Sequence, residues 1–212
     1  MNSSVRAGLI AASLLATGLT MAPVQAHEAG DWLLKAGVTQ VRPKSDNGSA
    51  LNGAINLDAD SSTRPSLSLT YMATRNVGIE LLAAVPFKHD VHGSGAVNGK
   101  IVESKQLPPT LTVQWHFLPE SRVQPYVGIG LNYTNFFDTK AVGALQDSKV
   151  SLSDSWGFAA QIGADVMIDK NWFFNASLRY IDISTDVKLN GQKIGTAKID
   201  PWVPTIAVGY RF

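Results

Sequence analysis

Cysteine is missing from the 212 residues. No disulfide scaffold, thiolate metal site or cysteine nucleophile can be built from this chain. A charge excess is missing too. The 18 basic residues stand against 17 acidic ones, which excludes the basic footprint of a nucleic-acid binder. After residue 26 no apolar run approaches the roughly 20 residues that a helix needs to span a bilayer. No amphipathic helical repeat of useful length is present either. Yet 45% of the residues are hydrophobic. They are spread in alternation rather than in blocks.

The first 26 residues stand apart. "MNSSVRAGLIAASLLATGLTMAPVQA" carries one charge, Arg6, then an apolar run, then Val24-Gln25-Ala26. This is the layout of a secretory signal with a small-residue cleavage site. A membrane anchor is the alternative, but the run is short for a span. The expected organisation is therefore a signal peptide over 1–26 and one domain over 27–212. Losing Arg6 leaves basic and acidic residues equal in number.

Beyond residue 30 the period is two. "SLSLTYM" sets Leu67, Leu69 and Tyr71 against Ser66, Ser68 and Thr70. "TLTVQWHF" sets Leu111, Val113, Trp115 and Phe117 against Thr110, Thr112, Gln114 and His116. Such alternation describes strands with two unlike faces. Eight segments are expected, at about 31–41, 63–73, 77–88, 105–117, 123–135, 154–168, 172–186 and 199–212. The links "TRN", "LPESR" and "DKN" are short. The other four, 42–62, 89–104, 136–153 and 187–198, are long and rich in Gly, Ser, Asp and Asn. An even strand number with short turns at one end and long loops at the other is the pattern of an all-β, eight-stranded antiparallel transmembrane β-barrel.

A soluble lipocalin-like barrel would turn its apolar face inward. The tryptophans separate the two readings. Trp32, Trp115, Trp156, Trp172 and Trp202 fall near strand ends and share parity with the apolar rows. A bilayer selects an apolar outer band with amphipathic rings at both rims. The last segment, "PWVPTIAVGYRF", fits this too. A membrane barrel closes its last strand on its first because no unpaired edge survives in lipid.

The inward row follows from the same parity. Towards the short-turn, periplasmic end it holds Lys35, Glu80, Gln114, His116, Asp165, Asn175, Arg179 and Arg211. Towards the long-loop end it holds Val41, Leu82, Ala84, Ala159, Ile181, Ile183 and Val203. An eight-stranded barrel is wide enough only for side chains or one small ligand. The charged row thus reads as a paired plug, in which lumen charges pair because burial demands it. A uniformly polar lumen would suit a diffusion porin. An apolar upper lumen above a plug suits a greasy molecule that enters from outside and leaves sideways. Pro86, Pro108 and Pro109 fall at similar depth on neighbouring strands, and each removes a ladder donor. They mark either a weak wall or a plain strand end under a loop.

Other constellations carry less. His89, Asp90 and His92 read as a solvated loop rather than a metal site. His116 lies among Thr and Gln without an evident nucleophile, so no enzyme activity is expected, and no cofactor or metal.

The stretches "HEAGDWLLKAGVTQVRP", "TYMATRNVGIELLAAVPFKHD", "LPPTLTVQWHF", "RVQPYVGIGLNYTNFF", "DSWGFAAQIGAD" and "DPWVPTIAVGYRF" resemble the OmpW family of bacterial outer-membrane proteins. The resemblance covers nearly the whole of 27–212 and is weakest at 44–62 and 89–104. It implies an eight-stranded barrel set in outer-membrane lipid. It also implies passive uptake of small hydrophobic solutes, as the AlkL-type relatives assist alkane entry, with a lateral opening at Pro86, Pro108 and Pro109. The terminal Phe212 resembles the signal that the outer-membrane assembly machinery reads. Substrate is not a family constant and does not transfer. The competing expectation is a structural or stress-responsive surface barrel whose loops meet phage, bacteriocins or host factors without specific transport.

N-terminal sequencing of protein extracted from membranes is expected to begin at His27. Retention of the leader would replace the signal peptide by an anchor.

Overall fold

A computed structural model describes residues 27–212, so the expected leader over 1–26 lies outside the described residues. Eight strands form the wall: β1 (Trp32–Val41), β2 (Ser62–Met72), β3 (Val77–Ala84), β4 (Thr110–His116), β5 (Val123–Ala141), β6 (Ser155–Met167), β7 (Trp172–Ile181) and β8 (Trp202–Arg211). Each pairs antiparallel with its neighbours in sequence. β8 returns to β1 from Leu33↔Arg211 to Thr39↔Thr205, which closes the barrel.

Outward rows are apolar and open. Ile129 is 60% exposed and Ile206 72%, values that no soluble core would leave. Two aromatic girdles border this band. At the short-turn end Trp32 lies on Tyr71 with ring centroids 5.0 Å apart, and Trp172 on Tyr210 at 4.9 Å. At the other end Trp156 lies on Tyr133 at 4.8 Å and Trp202 on Tyr180 at 5.4 Å. The stretch from Trp172 to Tyr180 of β7 covers about 26 Å along the strand. At a tilt near 40° that is about 20 Å along the barrel axis. The span matches an apolar band of roughly 25 Å.

The four long connections are not loose loops. Residues 49–50, 55–59, 87–95, 99–107, 150–152, 184–189 and 192–198 are further strands. They continue the wall into a second storey: Ile55–Ala59 pairs with Phe87–Gly95, and Gly99–Leu107 pairs with the far end of β5. The storey has its own core, which includes Ile55, Leu57, Ile101, Val102 and Val187. Sequence alternation hides it for two reasons. Its inward positions include His89, Gly93, Ser104 and Gln106 as well as apolar residues. Its register also shifts at Val91/His92 and Glu103/Lys105, so a strict period of two breaks down.

Proline sets several strand edges. The expected segment 77–88 divides at Pro86, and 105–117 divides at Pro108-Pro109. The segment 172–186 breaks after Ile181, the last begins at Trp202 rather than 199, and β5 runs on to Ala141.

Ile129→Arg should weaken folding into lipid vesicles by about 2–4 kcal/mol, the cost of a cation at the bilayer midplane, while Ile129→Val folds normally. On the lumen side Gly130→Ala should destabilise by crowding, since a Cβ there would overlap the Leu111 carbonyl oxygen. Urea titrations in vesicles check both. Equal folding of Ile129→Arg and the parent chain would place Ile129 away from lipid.

Candidate functional site

Closure leaves an interior that side chains must fill, and they fill it in tiers. At mid-height the Glu80 carboxylate joins two cations. Lys35 Nζ donates to Oε2 at 2.9 Å and Arg179 Nη2 to Oε1 at 2.8 Å. The Ser68 and Thr70 hydroxyls donate to Oε2 at 3.3 and 3.4 Å, and Gln161 Nε2 to Oε1 at 3.4 Å. Arg179 also donates to Gln161 Oε1. The register makes these meetings: Thr70 stands opposite Glu80, Lys35 opposite Ser68 and Gln161 opposite Arg179. Gly128 leaves room, because a Cβ there would press on the Gln161 side chain. All three ions are at most 3% exposed. Such a group is held only by mutual pairing, and removing one partner from a buried pair costs about 3–5 kcal/mol.

The tier below is polar but sparsely bonded. Asn175 Nδ2 donates to Asp165 Oδ1 at 2.7 Å and to the Tyr126 hydroxyl at 2.9 Å. His116 Nε2 meets Gln114 Oε1 at 3.2 Å. His27 reaches in from ahead of β1, its ring 5.6 Å from that of His116. At the rim Arg211 Nη1 stands 3.6 Å from Asp31 Oδ2. An apolar floor of Leu33, Met72, Met167 and Phe173 lies among these residues at the same end. The sequence reading missed this floor, Gln161, Tyr126 and His27. The floor was accessible to it, since Leu33, Met72, Met167 and Phe173 share parity with Lys35, Thr70, Asp165 and Asn175.

Above the ions the lumen turns apolar. Val41, Ala159, Ile181, Ile183 and Val203 form one buried cluster, with Ala84 at its edge and Leu82 on the same space. The cluster also contains Phe87, a residue that parity would put outside. Pro86 breaks the strand just before it and turns the next side chain inward. Phe87 and its neighbours leave a free volume of about 10 Å3, at the threshold for one water. A second gap of about 30 Å3 lies higher, lined by residues that include His89, Gln106 and Phe136. His89 Nδ1–H donates to the Asp60 carbonyl at 2.6 Å, and its Nε2 accepts from Gln106 Nε2 at 2.9 Å. Burial holds its pKa below the usual imidazole value, so this ring is neutral and both nitrogens are in use. Asp90 pairs with Lys100 at 2.8 Å, and His92 lies 3.6 Å from Asp60. His89, Asp90 and His92 are thus drawn to different partners.

The wall beside the apolar tier is discontinuous. β3 and β4 pair up to Leu82↔Thr110, and pairing resumes at Phe87↔Gln106. Pro86, Pro108 and Pro109 lie in the interval. The Asn132 side-chain amide holds the Pro108 and Pro109 carbonyls at 3.2 and 3.1 Å. The Pro109 carbonyl also accepts from the Tyr133 N–H at 3.1 Å. The interval therefore sits at the level of the upper aromatic girdle. On the outside, Pro65–Leu67 and Ala83–Val85 border a hollow of about 390 Å3. Ala84 lines both this hollow and the inner apolar space.

Comparison with known proteins agrees with this architecture. Residues 28–212 match the model of the OmpW family. Outer membrane protein W of Salmonella typhi is 44% identical over 211 residues, covering 95% of this chain and 97% of the relative. Outer membrane protein AlkL of Ectopseudomonas oleovorans is 28% identical over 196 residues, covering 88% and 84%. The crystal structure of OprG from Pseudomonas aeruginosa superposes with a TM-score of 0.80 at 36% identity, covering 89% of this chain and 99% of that one. A closed eight-stranded barrel with a lipid-facing apolar band and this similarity along its length belongs to the OmpW family of bacterial outer-membrane proteins.

Proposed function

We propose that this barrel admits small hydrophobic molecules from outside the cell into its apolar upper lumen and releases them sideways into the membrane at Pro86, Pro108 and Pro109. The passage involves no chemical step and no cofactor. The observation that carries this reading is the stretch of wall without ladder pairs between Leu82↔Thr110 and Phe87↔Gln106, next to which Ala84 borders both the inner apolar space and an outer hollow that lies over the paired β2–β3 side.

Magnitudes favour the sideways route. Descending past Glu80 means parting a buried carboxylate from Lys35 or Arg179, at about 3–5 kcal/mol for each uncompensated partner. Leaving between residues 83–86 and 107–109 parts no ladder pair. It requires a rotation of Phe87 and a small outward shift at Ala84. With free volumes of about 10 and 30 Å3 the resting lumen is filled, so the solute must take the place of side chains. Apolar rings and methyls give way to an apolar guest at little net cost, because the guest restores the contacts they lose. The second reading, a surface barrel acting through its outer parts, draws on the second storey having a core of its own. It predicts equal solute uptake by cells with and without the protein.

Replacing Pro86, Pro108 and Pro109 together by Val or Thr restores three N–H donors, each new bond contributing about 0.5–1.5 kcal/mol. The variant should stay folded, resist heat slightly better and take up less of an apolar probe. Glu80→Gln, or the milder Ser68→Ala, should leave apolar uptake nearly unchanged. Normal uptake in the proline variant together with altered flux in the plug variants would put the path down the lumen. Phe87→Ala should raise apolar uptake while lowering stability by about 3–5 kcal/mol. Unchanged uptake in a folded Phe87→Ala barrel would remove Phe87 from the route.

A further inference from the structure

The lower polar tier holds a group of side chains that neither the ion group around Glu80 nor the proposed solute path uses. His27, His116 and Asp165 are all fully buried, and one ligand atom from each lies within 4.8 Å of the other two. Asp165 Oδ2 is 3.6 Å from His27 Nε2, too far for a hydrogen bond. Both His27 nitrogens, His116 Nδ1 and Asp165 Oδ2 have no hydrogen-bond partner among the described residues. Gln124, opposite Asp165 in the register, has neither amide atom satisfied. Buried polar atoms are nearly always bonded, and a group left bare asks for a water or an ion. Here several bare atoms converge on one place.

We propose that the periplasmic end of the lumen binds one divalent cation of the Zn2+ class through His27, His116 and Asp165. Two imidazoles and a carboxylate are an ordinary donor set for Zn2+. The outer contacts are those that metal ligands need. His116 offers its Nε2 side to Gln114 Oε1 at 3.2 Å, which leaves Nδ1 as the bare lone pair. Asp165 has Oδ1 held by Asn175 at 2.7 Å and Oδ2 bare. Tetrahedral bonds near 2.1 Å put ligand atoms about 3.4 Å apart, so the widest separation, within 4.8 Å, needs to contract by up to about 1.4 Å. Gln124 or a water supplies the fourth position. Bound metal would pin the start of the domain inside the barrel. The floor of Leu33, Met72, Met167 and Phe173 packs at the same end, so loading should accompany folding rather than follow it.

Protein extracted from membranes, unfolded and stripped with a chelator, is refolded in detergent with Zn2+ or Co2+, and free metal is removed. About one metal per chain is expected by elemental analysis, with the visible bands of four-coordinate Co2+ and a higher unfolding temperature than the metal-free barrel. Asp165→Asn and His116→Gln should each weaken binding by at least about tenfold. His92→Gln, on the exposed second storey, should leave it unchanged. Because these variants could fold poorly, the Co2+ spectrum of the unaltered chain decides independently. No bands and no retained metal would overturn the site. Metal retained equally in both lumen variants, or lost in His92→Gln, would also overturn it by placing the metal at the surface.

Discussion

Lipid offers no hydrogen-bond partner to the backbone, and from that constraint the rest of this molecule follows. An open edge is excluded, so β8 pairs with β1, and even the Phe212 N–H is taken up by the Trp32 carbonyl at 2.9 Å. Closure makes every strand two-faced. One row must satisfy hydrocarbon, which is why Leu, Ile, Val and Phe stay outside without a core. The other row inherits a space that is too narrow for solvent to serve and too polar-walled to leave empty.

That inner space is filled by height. Ions stand at mid-lumen, where four other strands send five partners to Glu80. Apolar residues stand above them. The arrangement divides the lumen by how much a displacement costs. Ions resist separation because each would be left uncompensated in a poor dielectric. Aliphatic side chains and Phe87 resist only as far as their contacts are not replaced. A filled barrel can thus be impermeable to water and still admit an apolar guest.

Much of the wall was legible because period two survives in it undisturbed. Lys35, Glu80, Arg179, Asp165 and the upper Val and Ile residues fall inside on parity alone, and the five tryptophans fall at the rims. Legibility ends where the period is interrupted. Phe87 is the plainest case: one residue past Pro86, the alternation changes phase and an apparent lipid-facing ring becomes the filling of the lumen. The second storey was hidden by the same cause, through its register shifts and through inward His, Ser and Gln that look like loop composition. The network around Glu80 could not be read either. Parity says that a side chain points inward, but which carboxylate oxygen meets which cation depends on register between strands far apart in sequence, such as Glu80 and Arg179. His27 carried no signal, since it precedes the first strand.

The two ends of the barrel are built to opposite requirements. At the short-turn end the residues that close the wall also seal the lumen. The Gly30 N–H and the Asp31 carbonyl pair with Met72, Arg211 reaches Asp31, and Leu33, Met72 and Phe173 share the floor. Opening downward would therefore loosen the closure on which the fold rests. At the long-loop end the wall is interrupted between Leu82↔Thr110 and Phe87↔Gln106, yet the strands remain tied above it by the second storey and beside it by Asn132. A break bridged on both sides can widen without unzipping. The part free to yield is thus the part that closure does not need, and a sideways exit would cost least there.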